Sequence, residues 1–527
     1  MKPSAERRAL ELSQAPSVPA RIEGHAHEAP QATAVSFNGH DMNWETFAEL
    51  VRYCAKNLKE RGIEQGDRVA LLLTNRPEFL IVTSAAAAIG AISVPINFRL
   101  AAGEVAYILN NVTPKLLYVE QQTAELAEAA ATNAATQPEV IDCDTADLLE
   151  ATSYPAGKLD DAELFIPEAG DDFAIIHTSG TTGNPKGAVI SHGSISMCAS
   201  KVASRWGLRR GEGVVMLAPP LFHIGTFLAS HGALVGGSTS LVVPSTGFDP
   251  VQTLETMKRF AVTAAFMVPQ QWQMLCAEIE RVGGEGLALT HANWGGAPAS
   301  EKLLERMKAN LPGTEVKASF GQTETTGYGV GLEFADSLRK IGSVGKPEND
   351  MSVRVVDPDM NDVAVGEVGE IVYRGVGVMS RYWNNEEATN EAFRGGWFHS
   401  GDLVKRDDEG FIYVVDRLKD MIISGGENIY CAEIENVLAW HPDVADVSIV
   451  GRPDEKWGEV PVACIIPKDP NNPPDLASVR EYLADRLASY KHPKDVRIIE
   501  AFPRSGIGKI QKNVLRQSVQ SAEALAD

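Results

Sequence analysis

Residues 177–189 read His-Thr-Ser-Gly-Thr-Thr-Gly-Asn-Pro-Lys-Gly-Ala-Val, a run of hydroxyls and glycines with one lysine. Glycines let successive backbone N–H groups turn toward one centre, and hydroxyls add donors, so such a loop can hold a phosphate chain with the lysine as a point charge. The groups that would do this are Thr178, Ser179, Gly180, Thr181, Thr182, Gly183 and Lys186. The pattern is not Gly-x-x-x-x-Gly-Lys-Ser/Thr, because Lys186 follows Pro185 and a glycine comes next. A flexible surface loop would have the same composition, so taken alone the stretch leaves both readings open.

Five further stretches carry groups suited to a nucleotide and an acyl phosphate. In Phe320-Gly321-Gln322-Thr323-Glu324 an aromatic face can stack on a purine, a threonine can bond phosphate and a carboxylate can hold Mg²⁺. In Gly295-Gly296-Ala297-Pro298 the missing side chains let backbone approach a flat ring. The carboxylate of Ser400-Gly401-Asp402 can take both hydroxyls of a ribose. Asp416-Arg417-Leu418-Lys419 is followed by Gly425-Gly426-Glu427, and Lys509 stands between Gly508 and Ile510 near the end of the chain. Each stretch also has a plain structural reading: Phe320 as core, Asp402 as a turn residue, Glu324 as a solvated carboxylate, Lys509 as one surface lysine among many.

The elements that would position these groups alternate in type. Asp172–Ile176 ends in an apolar run that reads as a strand into the loop, and Ser191-His192 can start a helix after it. Before the loop the pattern predicts helix 44–61, strand 68–74, helix 76–89, strand 91–96, helix 102–110 and strand 115–119. After it come strand 214–217, helix 222–235, strand 240–243, helix 250–260, strand 264–267, helix 270–282 and a strand near 291–294. Such alternation implies parallel sheets covered on both faces. Residues 1 to about 30 read as a surface arm, and 120–170 as a surface helix and loop.

From about 340 short strands with Gly, Asp and Asn punctuation indicate a small β-region. Beyond 416 the chain is smaller and mixed: helix 431–440, strands 446–451 and 463–467, helix 476–489 and strand 496–500. The expected fold class is therefore α/β. A large N-terminal domain of parallel α/β sheets with a small β-region, 1–416, precedes a smaller α+β C-terminal domain, 417–527.

The 527-residue chain carries 48 basic and 70 acidic residues, a net charge of −22, which disfavours nucleic acid and anionic membranes as partners. Its six cysteines are scattered without a Cys-x-x-Cys pair, which suggests neither a zinc site nor a disulfide framework and suits a reducing cytoplasm. The first residues lack an apolar signal core, and the uncharged runs 79–98 and 214–244 are broken by proline and rich in small residues, so buried helix and strand are expected rather than membrane spans. Oligomeric state stays open between monomer and homodimer.

Taken together, the motifs resemble the adenylate-forming (AMP-binding) enzymes: acyl- and aryl-CoA synthetases, firefly-type luciferases and the adenylation domains of peptide synthetases. Residues 178–187 are similar to that family's Thr-Ser-Gly-Thr-Thr-Gly-x-Pro-Lys-Gly, and 320–324 to its aromatic-Gly-x-Thr-Glu. Residues 400–402 resemble its Thr-Gly-Asp with Ser for Thr, and 416–419 its Asp-Arg-x-Lys hinge. Residues 503–509 resemble its Pro-x-Thr-x-x-Gly-Lys with Ser505 for Thr. The likeness spans roughly residues 30–515, in the family's order, and departs at His177, where an aromatic is usual.

The resemblance implies ATP, Mg²⁺ and coenzyme A as cofactor and co-substrates, and two half-reactions. Residues Thr178–Lys186 would hold the β,γ-phosphates, Thr323 the α-phosphate, Glu324 the metal, Asp402 and Arg417 the ribose, and Phe320, Gly321 and Gly296–Pro298 the adenine. Lys509 would bridge the carboxylate and α-phosphate. The C-terminal domain would then turn about Lys419 and bring Gly425, Gly426 and Glu427 to a pantetheine channel.

Pro219-Pro220-Leu221-Phe222-His223 has no acidic residue to hold an α-ammonium, which disfavours amino-acid adenylation. His223 would stand near the acyl carboxylate and thiol entry, or be a core histidine. Candidate walls for the acid are Phe227, Val268, Trp272, Gly295, Tyr328 and Val330, which suit an apolar monocarboxylic acid: fatty, aromatic or alicyclic. Rival classes are a luciferase-like monooxygenase, a kinase or ATPase releasing ADP, a silent binding protein, and an adenylate former that serves an acceptor other than CoA.

Overall fold

In the computed structural model the described residues are 11, 14–150, 157–178, 185–245, 247–297, 299–337, 339–424, 427–504 and 510–523. The chain forms two compact units. The first comprises residues 1–341, 345–352 and 373–398; the second comprises 342–344, 353–372 and 399–527.

The first unit is built on two sheets. The larger has nine strands, in the order Lys346–Pro347, Val330–Leu332, Glu315–Phe320, His291–Gly295, Ala264–Met267, Val214–Leu217, Thr239–Val242, Thr33–Phe37, His40–Asn43. The six from Glu315–Phe320 to Thr33–Phe37 run parallel, and antiparallel pairs close both edges. The second sheet orders Glu139–Asp142, Leu116–Val119, Arg68–Leu71, Ile92–Pro95, Asp172–Thr178 and Lys186–Ser191; all but the last pair are parallel.

Sequence accounts for these elements locally. Ser191 caps the His192–Arg205 helix by accepting from the Ser194 N–H, and Asp249 caps Pro250–Arg259 in the same way, satisfying donors that a helix start leaves open. All twelve residues of the Pro77–Ala88 helix are buried, so the absence of charge from Phe79 onward reflects a core position. The run 214–244 is likewise strand, the Ile224–Gly236 helix and strand, and among the described residues no helix is long and apolar enough to cross a membrane.

Two local expectations fail. The N-terminal arm is in part a helix, Val18–Glu28, with Val18 and Ile22 wholly buried; its apolar face is short, and it packs on the helices Trp44–Glu60, Pro77–Ala88 and Ile224–Gly236. Within 120–170 the Glu139–Asp142 stretch is an edge strand paired with Leu116–Val119, although only Ile141 is buried and the apolar signal is correspondingly weak.

The second unit contains a four-stranded sheet of Met351–Val356, Val368–Gly375, Phe398–Arg406 and Ile412–Arg417, the outermost residues of its first three strands being counted with the first unit. Its other sheet orders Glu427–Ile429, Ile422–Ser424, Gly458–Pro467 and Val444–Asp454, with Asp495–Ile498 parallel to Gly458–Pro467. The Cys431–Leu438 and Leu476–Leu483 helices share a core with this sheet through Ile434, Leu438, Val479 and Leu483. The Lys512–Glu523 helix contributes Leu515 and Val519 to another.

Candidate active site

The phosphate-type loop hangs from an antiparallel hairpin in the first unit, in which Thr178 pairs with Lys186. Gly187 is required there, since a Cβ would stand 2.7 Å from Ile175 Cγ2 and 3.0 Å from His177 Nε2. Ser179, Gly180, Thr181, Thr182 and Gly183 lie outside the described residues.

A segment nearly two hundred residues later runs alongside this hairpin. The Val189 N–H donates to the Arg381 carbonyl (2.9 Å), Ser380 N–H to Val189 (2.9 Å) and Trp383 N–H to Gly187 (2.7 Å). That pairing sets Tyr382 beside the loop, with the Lys186 ammonium 5.3 Å from the centre of its ring.

Glu324 arrives from the 3₁₀ turn Thr323–Thr325, just after the Glu315–Phe320 strand, and is 6 % exposed. Its Oε1 accepts from the Tyr382 hydroxyl (2.9 Å) and the Thr178 hydroxyl (3.3 Å). Burial, reinforced by the neighbouring Glu324 charge, raises the Tyr382 phenol well above its ordinary value, so it remains an O–H donor. Among the described residues no basic side chain pairs with Glu324. A buried carboxylate whose side-chain partners among the described residues are hydroxyls suits a hard divalent cation.

The turn is constrained on every side. A Cβ on Gly321 would lie 2.8 Å from the Tyr328 nitrogen and 2.9 Å from Gly327 C. Thr326 is left-handed at φ 50°, uncommon for a β-branched residue, and its hydroxyl is tied to the Gly377 carbonyl at 2.7 Å.

Next to it lie the carboxyl ends of four neighbouring strands, Val214–Leu217, Ala264–Met267, His291–Gly295 and Glu315–Phe320. Leu217, Met267 and Gly295 are buried, whereas His223, Ile224, Gly225, Phe266, Val268, Ser319 and Phe320 are half-buried. Ligands of open parallel α/β sheets bind at such strand ends. Gly296, at φ 79°, is exposed, and a Cβ on it would be 3.7 Å from Val268. Ala297 is half-buried; Pro298 lies outside the described residues. His223 stands at the N-cap of the Ile224–Gly236 helix, its carbonyl accepting from Phe227 N–H (2.8 Å).

The remaining predicted wall residues have distinct neighbours. Phe227 packs into an aromatic group with Phe79, Phe173 and His231. Trp272 is wholly buried and donates its indole N–H to the Asn293 carbonyl at 3.0 Å. Val330 is buried on a strand against Phe320. Tyr328 is not in an apolar setting: Lys201 and Arg205 lie 5.2 and 5.4 Å from its ring centre, themselves paired with Asp350 and with Glu333 and Glu348. Tyr382 and Asn293 were not marked by sequence; the aromatic pair Tyr382-Trp383 in a segment without regular periodicity was the available signal for the first.

In the second unit, Asp402 and Arg417 face each other across two strands, and the Arg417 Nε is 2.8 Å from Asp402 Oδ1. The turn carrying Asp402 is braced by Glu370, whose Oε1 accepts from Gly401 N–H at 2.8 Å, and by Ser400, whose hydroxyl donates to the Ile371 carbonyl. Lys419 is exposed after these strands, and Glu427 is exposed on the Glu427–Ile429 strand. Gly425, Gly426 and Lys509 lie outside the described residues.

Comparison with known proteins gives a consistent result. Residues 22–383 match the AMP-binding enzyme family, and residues 433–509 the AMP-binding enzyme C-terminal domain. An indoleacetate–CoA ligase of Aromatoleum aromaticum is 35% identical over 503 residues, covering 94% of this chain and 97% of the relative. A long-chain-fatty-acid–CoA ligase of Mycobacterium tuberculosis is 38% identical over 479 residues, covering 90% and 93%. The structure of O-succinylbenzoate coenzyme A synthetase from Bacillus subtilis, in complex with ATP and magnesium ion, superposes with a TM-score of 0.81 at 30% identity, covering 94% and 98%.

Proposed function

The chain belongs to the AMP-binding enzyme family, and from that premise we propose that it is an AMP-forming acid–CoA ligase acting on an apolar-bodied monocarboxylic acid. The observation that carries this reading is the meeting of Thr178, Lys186, Glu324 and Tyr382 beside the open strand ends.

In the first half-reaction a carboxylate oxygen attacks the α-phosphorus of ATP, and the bond to pyrophosphate breaks. The acid thereby gains AMP as a leaving group in place of oxide. In the second, the thiolate of coenzyme A attacks the acyl carbon and AMP departs. Both steps need charge neutralised and reactants aligned more than they need covalent help from the protein.

Thr178–Lys186, including Ser179 to Gly183, hold the β,γ-phosphates. Thr323 takes the α-phosphate, and Phe320, Gly321 and Gly296–Pro298 frame the adenine. Mg²⁺, when bound, neutralises phosphate charge, and Glu324 is the residue that would hold it. Asp402 takes the ribose hydroxyls with Arg417 already paired to it. Lys509 stabilises the charge between carboxylate and α-phosphate. His223, Gly295 and Val268 border the acyl group.

The division at 416/417, rotation about Lys419 and a thiol channel at Gly425, Gly426 and Glu427 belong to the same reading. A reducing cytoplasm fits six free, buried cysteines. The test is ATP–pyrophosphate exchange across fatty, phenylalkanoic, cinnamic and alicyclic acids, followed by thioester detection with CoA. Exchange with no acid removes the reading. Exchange without thioester favours an acceptor other than CoA.

A further inference from the structure

Asn293 lies in the middle of the His291–Gly295 strand, 1 % exposed, and neither its Oδ1 nor its Nδ2 has a hydrogen-bond partner among the described residues. Its backbone pairs with strands on both sides, and its carbonyl also accepts from the Trp272 indole N–H at 3.0 Å. A primary amide in a dry position is unfavourable unless something supplies its hydrogen bonds, and an apolar residue of the same volume would fill the site better.

The neighbours do not satisfy it. Across the sheet Asn293 pairs with Phe266 on one side and Lys317 on the other. Lys317 is committed elsewhere, to the Arg205 carbonyl at 2.7 Å and Glu315 at 2.6 Å. Side chains alternate along a strand, so Asn293 shares its face with Gly295 at the carboxyl end of the strand.

The half-buried Phe266 ring rests between two glycines: a Cβ on Gly225 would be 2.8 Å from its Cε1, and one on Gly295 would be 3.2 Å from its Cε2. Gly225 belongs to the Ile224–Gly236 helix and Gly295 to the sheet, so the ring fills the space between helix and sheet. With no side chain at either glycine, backbone flanks the ring on both sides.

We propose that the Asn293 carboxamide binds an uncharged hydrogen-bonding group, a hydroxyl, oxo or ring N–H, carried on the part of the acid farthest from its carboxylate and reached when the Phe266 ring moves aside. The carboxamide offers both a donor and an acceptor, so it accepts any of these and has no charge to pair with a second carboxylate. This rests on the acid–CoA ligase reading and narrows its substrate class. The acid is apolar in its body and polar at one remote point.

The test uses matched acids on the full-length protein: phenylacetic against 4-hydroxyphenylacetic, cinnamic against 4-hydroxycinnamic, and hexanoic against 6-hydroxyhexanoic acid. For at least one pair the wild type shows kcat/KM in pyrophosphate exchange higher by about tenfold or more for the hydroxylated member, because the parent leaves the amide unpaired. In Asn293→Leu that ratio collapses to within about threefold. The same substitution leaves the thermal midpoint of the free protein unchanged or raises it, since an unpaired buried amide is replaced by an apolar group of similar shape.

Exchange that favours the unsubstituted acid, or is indifferent, in every active pair overturns the proposal while leaving the ligase reading intact. So does a hydroxyl preference that survives in Asn293→Leu. A fall in midpoint with unchanged preference assigns Asn293 to structure alone. Absence of exchange with any acid removes both.

Discussion

The hydroxyl of Tyr382 donates to Oε1 of Glu324 at 2.9 Å, and the Lys186 ammonium stands 5.3 Å from the centre of the same tyrosine ring. One aromatic side chain thus touches the carboxylate that fits a metal and the lysine of the phosphate loop. With Thr178 also donating to Oε1, at 3.3 Å, the carboxylate is turned by two hydroxyls.

Tyr382→Phe keeps the ring under Lys186 and removes only the donor. Hydrogen bonds to charged acceptors are worth about 1.5–3 kcal/mol, so pyrophosphate exchange should fall by about ten- to a hundredfold and need more Mg²⁺ for half-maximal rate. Tyr382→Ala should lose more. An unchanged Mg²⁺ titration in the Phe variant would limit Tyr382 to packing.

Lys509→Ala should abolish acyl-adenylate formation and largely spare thioester formation from supplied acyl-AMP and CoA. Single-turnover assays of each half-reaction measure this directly. Equal loss in both would remove Lys509 from the adenylation step.

Gly321→Ala places a Cβ against the backbone of Gly327 and Tyr328, which cannot yield as a flexible side chain would. Overpacking of this kind costs about 1–3 kcal/mol. A lowered urea midpoint together with reduced exchange is expected, because the same turn carries Thr323 and Glu324.

Acid should destabilise the protein through two core histidines. Desolvation holds the fully buried His192 and His231 down at about 4, against 6.5 in an unfolded chain. The unfolded chain binds protons between those values while the folded one does not. Their contribution to stability is therefore complete above about pH 6.5 and is lost as pH falls toward 4. Urea midpoints at pH 7.5, 6 and 5 should drop in the wild type and drop less in His231→Leu; parallel curves would exclude His231 as a source.

Much of the architecture was legible beforehand. The strands Val214–Leu217 and Ala264–Met267 coincide with uninterrupted apolar runs, because strands buried on both faces need them. The Val18–Glu28 helix was not legible, since its burial depends on three other helices, Trp44–Glu60, Pro77–Ala88 and Ile224–Gly236.

By itself the sequence determined which chemical groups exist and in what order: a phosphate loop ending in Lys186, Glu324 after a threonine, Asp402 in a glycine turn, Lys509 near the end. Only the tertiary structure decided which of them meet. Tyr382 reaches Glu324 across 58 residues, and Asp402 finds Arg417 through strand register. Phe227 packs on Phe173, Trp272 bonds the Asn293 carbonyl and Tyr328 stands beside Lys201, while the Asn293 side chain has no partner among the described residues. Hydrophobic periodicity states which face of an element is buried. It does not state which strand lies beside which, or in what register, and those two facts set every long-range contact in the site.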